Sequence, residues 1–412
     1  MKNFTLRHVT AVLFAVALGA SACSSDNGST SDTSASAPTQ STTTEVAADP
    51  TTTTTAAVAT ASLSDALDTI VADTDVPALG AAVFDSNGPI DIAVSGLRER
   101  DGTTSAGIDD RFHLGSNTKA LTAVLVARLS EQDIGISFDS TLAEVFPTVT
   151  EIQDDYTTVT LAQLLAHTGG VPTATDPEGV EDETEAIEEL TTLPVVEARA
   201  VVVETIISEP PVVTPNTMSR YSNANFVIAG AAMEAATGDS WENLMTAEVF
   251  TPLGMNTCGF GAPGVEGEVD QPLGHDPATG QPVYMDNPAF IGPAGTVHCS
   301  MADWGLLLTE LLKGSKGESD FLTQASIDRL LDTASVPVEA LPGAQAALGW
   351  FILEEDPDGS AYWHNGSNGY WFSQAILVPE ADRAGLAVTN EAPNGEQATS
   401  LALAALIEMF PE

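Results

Sequence analysis

Ser116 and Lys119 stand three residues apart in Leu114-Gly115-Ser116-Asn117-Thr118-Lys119-Ala120-Leu121. The chain holds four lysines, Lys2, Lys119, Lys313 and Lys316, so one inside an apolar run stands out. Leu121, Val124, Leu125 and Leu129 recur at helical spacing, which predicts a long helix beginning near Ser116. Residues three apart on a helix lie one above the other, so the hydroxyl and the amine can meet. Burial disfavours the ammonium form, and a neutral amine beside a hydroxyl is a general base beside a nucleophile. The chemistry implied is acyl transfer by a Ser-x-x-Lys device. A serine at a helix start also serves as an N-cap, so the spacing needs support from other motifs.

Two further motifs supply it. Arg220-Tyr221-Ser222-Asn223 contains the chain's single Tyr-x-Asn. Tyr221 can present a phenol to the nucleophile and shuttle a proton. Asn223 can hold the lysine and a substrate amide. His364-Asn365-Gly366-Ser367 lies in a β-rich run near the C-terminus. Gly366 leaves room for substrate to lie along the strand. The Ser367 N–H can then pair with that of Ser116 as an oxyanion hole. His167-Thr168-Gly169 also fits His-x-Gly, but it precedes the tyrosine motif and sits where a helix should terminate.

Ser-x-x-Lys, Tyr-x-Asn and Lys/His-x-Gly, in that order, resemble the penicillin-recognising serine hydrolases. That group includes class C-type β-lactamases, D-alanyl-D-alanine carboxypeptidases, D-aminopeptidases and related esterases. Leu164 to Gly170, Pro252-Leu253-Gly254-Met255 and Pro293-Ala294-Gly295-Thr296 ahead of Asp303 add to the likeness, which spans about residues 61–411. It implies Ser116 as acylated nucleophile, with Lys119 and Tyr221 sharing the base role. It implies that Asn223 orients the lysine and that His364 occupies the cationic position of the third motif. Most class C β-lactamases carry Lys-Thr-Gly there. Asn365 replaces a hydroxyl that helps the peptidases grip a substrate carboxylate, which puts carboxylate recognition in doubt. The substrates implied are D-Ala-D-Ala peptides, β-lactams or small esters, with no cofactor. A competing reading keeps the fold without turnover, as an acyl-binding sensor or scaffold; the intact Ser116, Lys119, Tyr221 and Asn223 argue against it. No Gly-x-Ser-x-Gly elbow is present, which disfavours an α/β-hydrolase.

The elements that must position these residues follow from pattern. A helix is expected at 61–73, then strands from Pro77 to Phe84 and Ile90 to Gly96 around the turn Asp85-Ser86-Asn87-Gly88-Pro89. Signals are mostly helical over 113–335. Strands return at Leu348 to Glu354, Tyr362 to Gly366, Tyr370 to Val378 and Gly385 to Thr389, and an amphipathic helix follows at 396–409. This predicts an α+β fold, an antiparallel sheet built from N- and C-terminal strands, with a central, mostly helical subdomain.

Composition bounds the rest. Residues 1–22 read as a signal peptide, with Lys2 and Arg7 before an apolar run from Val9 to Ala22. Ala20-Ser21-Ala22-Cys23 resembles a lipobox, so Cys23 is the expected lipidation site, anchoring the protein to an outer leaflet; ordinary cleavage and secretion is the alternative. Residues 23–60, rich in Ser and Thr, read as a disordered tether, and 61–412 as the hydrolase domain. The net charge of −45 speaks against nucleic-acid binding, which needs clustered Lys and Arg. Such an acidic excess also fits a protein working in salt. Asp176 to Glu189 carries eight acidic residues and no basic one, a solvated loop or an acidic rim near the site. In an oxidising compartment Cys258 and Cys299 can form a disulfide. No His/Cys/carboxylate cluster has zinc spacing, so no metal is expected. The sequence leaves the oligomeric state open.

Overall fold

The computed structural model describes residues 62–132, 134–172, 190–356 and 359–410. The signal segment, Cys23, the tether and the acidic run 176–189 lie outside them. Helix α1 (Leu63–Thr74) begins on a capping box, with Ser62 and Asp65 satisfying each other's backbone N–H groups. It buries Leu63, Leu67 and Ile70. A hairpin follows, β1 (Ala78–Asp85) and β2 (Gly88–Gly96). Strand β3 (Arg111–His113) then leads through the 3-10 turn Gly115–Asn117 into α2 (Thr118–Ser130). Helices α3 (Leu161–Leu165), α4 (Val195–Ile207) and α5 (Asn223–Thr237) come next.

Within the middle region, short strands interrupt the helices: β4 (Gly259–Phe260), β5 (Gly274–His275), β6 (Pro282–Val283) and β7 (Val297–Ser300). Helix α6 (Gly292–Gly295) precedes β7, and α7 (Met301–Ser315) follows it. The C-terminal part adds β8 (Gln345–Ala347), β9 (Trp350–Asp356), β10 (Gly359–Ser367), β11 (Phe372–Val378), β12 (Arg383–Thr389) and α8 (Gly395–Met409).

The main sheet runs β2-β1-β12-β11-β10-β9-β8, antiparallel throughout. First and last strands meet as expected, with Ala81 opposite Ala387. Alternation along β1 separates the faces. Gly80 abuts Met301 of α7, while Gly385, opposite Val83, abuts Leu403 and Leu406 of α8. The sheet is thus sandwiched between helices.

The middle region is mostly helical, as expected, and carries a small second sheet of β3, β7 and β4, whose strands of two to four residues are too short for a period-2 pattern to register. Helix α2 has 11 of its 13 residues buried, because it runs through the core rather than over its surface.

Cys258 and Cys299 are bonded, with Cα atoms 4.1 Å apart. The bridge staples β4 to β7, and β7 pairs with β3, the strand that delivers the chain to Ser116. The sequence separation of 41 residues sets the loop it closes. Replacing both cysteines by alanine should cost about 4 kcal/mol of unfolding free energy. Urea denaturation checks this, and unchanged stability would contradict it.

Candidate active site

The nucleophile turn forms because two glycines allow two backbones to touch. Gly115 has φ 51, in the left-handed region. A Cβ on it would stand 2.3 Å from the Ser367 nitrogen. A Cβ on Gly366 would stand 2.0 Å from the Leu114 carbonyl oxygen and 2.7 Å from the Ser116 nitrogen. The space beside Gly366 is therefore filled by the turn itself, not left for substrate as the sequence led one to expect. The two turns are thus in backbone contact, with the Ser367 nitrogen against Gly115 and the Ser116 nitrogen against Gly366. Ser373, opposite Gly366 on β11, clamps the turn. Its hydroxyl accepts from Asn117 Nδ2 at 2.8 Å and donates to the Leu114 carbonyl at 2.8 Å.

Lys119, the second residue of α2, is fully buried. Its Nζ lies 2.9 Å from Ser116 Oγ, 2.8 Å from Asn223 Oδ1 and 2.8 Å from the Ala294 carbonyl oxygen. That carbonyl is brought in by tight packing. Pro293 of α6 fills the space a side chain on Gly230 of α5 would need, and Thr122 donates to the Pro293 carbonyl at 2.7 Å. Burial holds the Lys119 amine well below the usual lysine range. Tyr221 donates its hydroxyl to Ser116 Oγ at 2.7 Å. Its burial pushes the phenol up to about 12, against a smaller downward pull from Ser116. Asn223, exposed as the first residue of α5, presents its amide where substrate can reach it.

His364 departs from the expectation of a cation. It is 1% exposed, stacked on the Phe351 ring at 5.5 Å between centroids. Burial, with the nearby Lys119 charge second, lowers its imidazole to about 3. The position is thus occupied by a neutral ring, because a buried imidazolium beside a lysine is doubly disfavoured. Asn365, next along β10, is half-buried. The Ser367 hydroxyl does not face a ligand either; it donates to the Trp371 carbonyl at 2.7 Å and closes the β10–β11 turn.

A depressed histidine carries a sign. Between about 3 and 6.5 the unfolded chain protonates His364 and the folded chain does not. Its contribution is therefore full above pH 6.5 and is lost as pH falls towards the folded value. Going from pH 7 to pH 4, wild type should lose on the order of 3 kcal/mol more stability than His364→Gln. Equal losses in urea melts would contradict the neutral assignment.

Residues 63–408 match the family described as Beta-lactamase. The chain belongs to the beta-lactamase family. It is a serine hydrolase of that family. "Penicillin-binding protein 4" of Amycolatopsis lactamdurans is 26% identical over 348 residues, 80% of this chain and 85% of that one. The octameric penicillin-binding protein homologue from Pyrococcus abyssi matches at TM-score 0.68 and 21% identity, covering 84% of this chain and 77% of that one. A D-stereospecific amidohydrolase from Streptomyces sp. matches at TM-score 0.64 and 22% identity, over 85% and 98%. At such identities the two structures show the shared fold.

This beta-lactamase-family site also uses residues the motifs did not reveal. His167, with φ 59, ends the chain's run through α3, as its sequence position suggested. It does more than that. Its ring lies 4.6 Å from that of Tyr221, and its Nδ1 accepts the Ser222 N–H at 3.2 Å, so it backs the tyrosine motif. Phe351 and Ser373 are likewise new, and no local signal marks them, since each acts through a tertiary contact; Ala294 lies in the family-like Pro293–Thr296 stretch, but that stretch did not show that its carbonyl meets Lys119. Among the described residues no group of three or more His, Cys, Asp or Glu is placed to hold a metal ion.

Proposed function

We propose that this chain hydrolyses amides or esters through an acyl-enzyme on Ser116, and that it does so outside the cytoplasm. The observation that carries the reading is the setting of Lys119. Two carbonyl oxygens, of Asn223 and Ala294, stand within 2.8 Å of Nζ. In a neutral amine they take both N–H groups, and the lone pair is left for the Ser116 hydroxyl at 2.9 Å. Lys119 accepts the proton as Ser116 Oγ attacks the acyl carbon. The Ser116 and Ser367 N–H groups hold the oxygen that becomes negative. Tyr221, with its phenol held protonated, passes its proton to the leaving group and takes one back from Lys119. Water then attacks the acyl-enzyme, Lys119 accepts its proton, and Ser116 Oγ leaves with that proton as the acid is released.

The substrate reading keeps D-alanyl peptides, β-lactams and small esters in view. The geometry favours acyl donors whose capture needs no fixed cation, as in the esterase and D-aminopeptidase branches. His364 is neutral and closed off, and Arg220 beside Tyr221 is paired with Glu339 at 3.0 Å. A signal-like N-terminus and the Cys258–Cys299 bond support export, with Cys23 as the anchor. The test is kcat/KM for p-nitrophenyl acetate, D-alanine p-nitroanilide, benzylpenicillin and an acylated D-Ala-D-Ala peptide. The ester or the anilide should exceed the carboxylate-ended peptide at least tenfold. The reverse order would overturn the substrate reading.

A further inference from the structure

A second network lies behind the two N–H donors. His113, fully buried at the end of β3, accepts the Gly115 N–H on Nδ1 at 3.0 Å. An acceptor at Nδ1 leaves the ring proton on Nε2. Nε2 stands 2.6 Å from Asp286 Oδ1, off the axis of its N–H, so the contact is one of charge against dipole. The same oxygen accepts from Asn368 Nδ2 at 3.3 Å. Asn368 Oδ1 then accepts the Tyr370 and Trp371 N–H groups, both at 3.2 Å, in the turn just beyond Ser367. Next along the chain, Asn287 donates to the Gly295 carbonyl at 2.7 Å and secures the segment beside α6. Asp286 therefore reaches both halves of the donor pair: the Ser116 turn through His113, and the Ser367 turn through Asn368.

We propose that Asp286 is a positioning residue, which fixes the separation of the Ser116 and Ser367 N–H groups by holding His113 and Asn368. This rests on the acyl-enzyme reading above. A glycine at φ 51 is free to leave that conformation, so something outside it must hold Gly115 in place. Preorganised donors are worth most when they cannot relax, and displacements well under an ångström are felt in the rate. The Asp286 side chain is 14% exposed and faces the fully buried His113, so Asp286→Asn, which keeps its shape, is needed beside Asp286→Ala to separate positioning from lost packing.

The experiment compares Asp286→Ala, Asp286→Asn and Ser116→Ala with wild type, using p-nitrophenyl acetate, a neutral probe. Asp286→Ala should lower kcat tenfold or more and leave KM within about twofold; because it leaves the buried His113 N–H without its neighbour, kcat is read well below the melting temperature of each variant. Asp286→Asn keeps an oxygen facing His113 and Asn368 and should restore most of kcat. Three results would overturn the proposal. One is an unchanged kcat in Asp286→Ala. Another is a loss confined to KM. The third is Asp286→Asn as impaired as Asp286→Ala, which would make the charge, not the position, what matters. Ester turnover undiminished in Ser116→Ala would bring down the acyl-enzyme reading and this one with it, whereas Ser116-dependent turnover indifferent to Asp286 removes this one alone.

Discussion

Lys119→Met should give a folded protein whose Ser116 is acylated about 10³–10⁴-fold more slowly than in wild type. Methionine is unbranched like lysine, one atom shorter, and suits a site with no exposure. Its thioether sulfur is far too weak a base to take the Ser116 proton. Two acceptors, Asn223 Oδ1 and the Ala294 carbonyl, lose their donor, which costs about 1–3 kcal/mol for each one left dry. Exposed Asn223 can turn to water. Removing a buried amine gives back part of its desolvation. Stability should therefore move little while the chemistry collapses. Stopped-flow acylation together with a thermal melt separates the two. An acylation rate within tenfold of wild type would show that another group takes the proton.

Gly366→Ala should lower kcat by about a hundredfold or more, in the range seen when one oxyanion donor is lost. The new methyl carbon would meet the Leu114 carbonyl oxygen at 2.0 Å and the Ser116 nitrogen at 2.7 Å. Both are backbone atoms of the nucleophile turn, so no rotamer change relieves the clash. Strand β10 and the turn must part, and the Ser116 and Ser367 N–H groups part with them. The Lys119 and Tyr221 contacts to Ser116 Oγ lie on the other side of the serine and should persist. A burst of acylation with normal amplitude and a slowed rate is expected. Wild-type kcat in Gly366→Ala would mean that the two N–H groups do not act as a pair.

The sequence carried this site unevenly. Ser116 and Lys119 are legible because a helix places residues three apart on one face, a purely local rule. Tyr221, Asn223 and His364 were assigned by motif order, and the fold brings them together from α5 and β10. The charge state of His364 was not legible, since it depends on Phe351 from the neighbouring strand and on Lys119 from α2. Gly366 reads as room for substrate, yet its partner is the Leu114–Ser116 turn, far away in the chain. Asp286 and His113 carry no local signal at all: one follows the two-residue strand β6, the other ends the three-residue strand β3. In the fold, the terminal strands lie within three residues of their expected bounds, because alternation and turn chemistry are strong there. The three-residue β8 and the small β3-β7-β4 sheet escaped, being too short to show a period.

The central claim is a covalent intermediate on Ser116. Acid-quenched intact mass and peptide mapping test it most directly, during turnover of whichever substrate in the panel is fastest, with Ser116→Ala alongside. The account predicts one acyl group on wild type, mapped to Ser116, and none on the variant, which also ceases to turn over. An acyl group on another residue, or turnover continuing in Ser116→Ala, would contradict it.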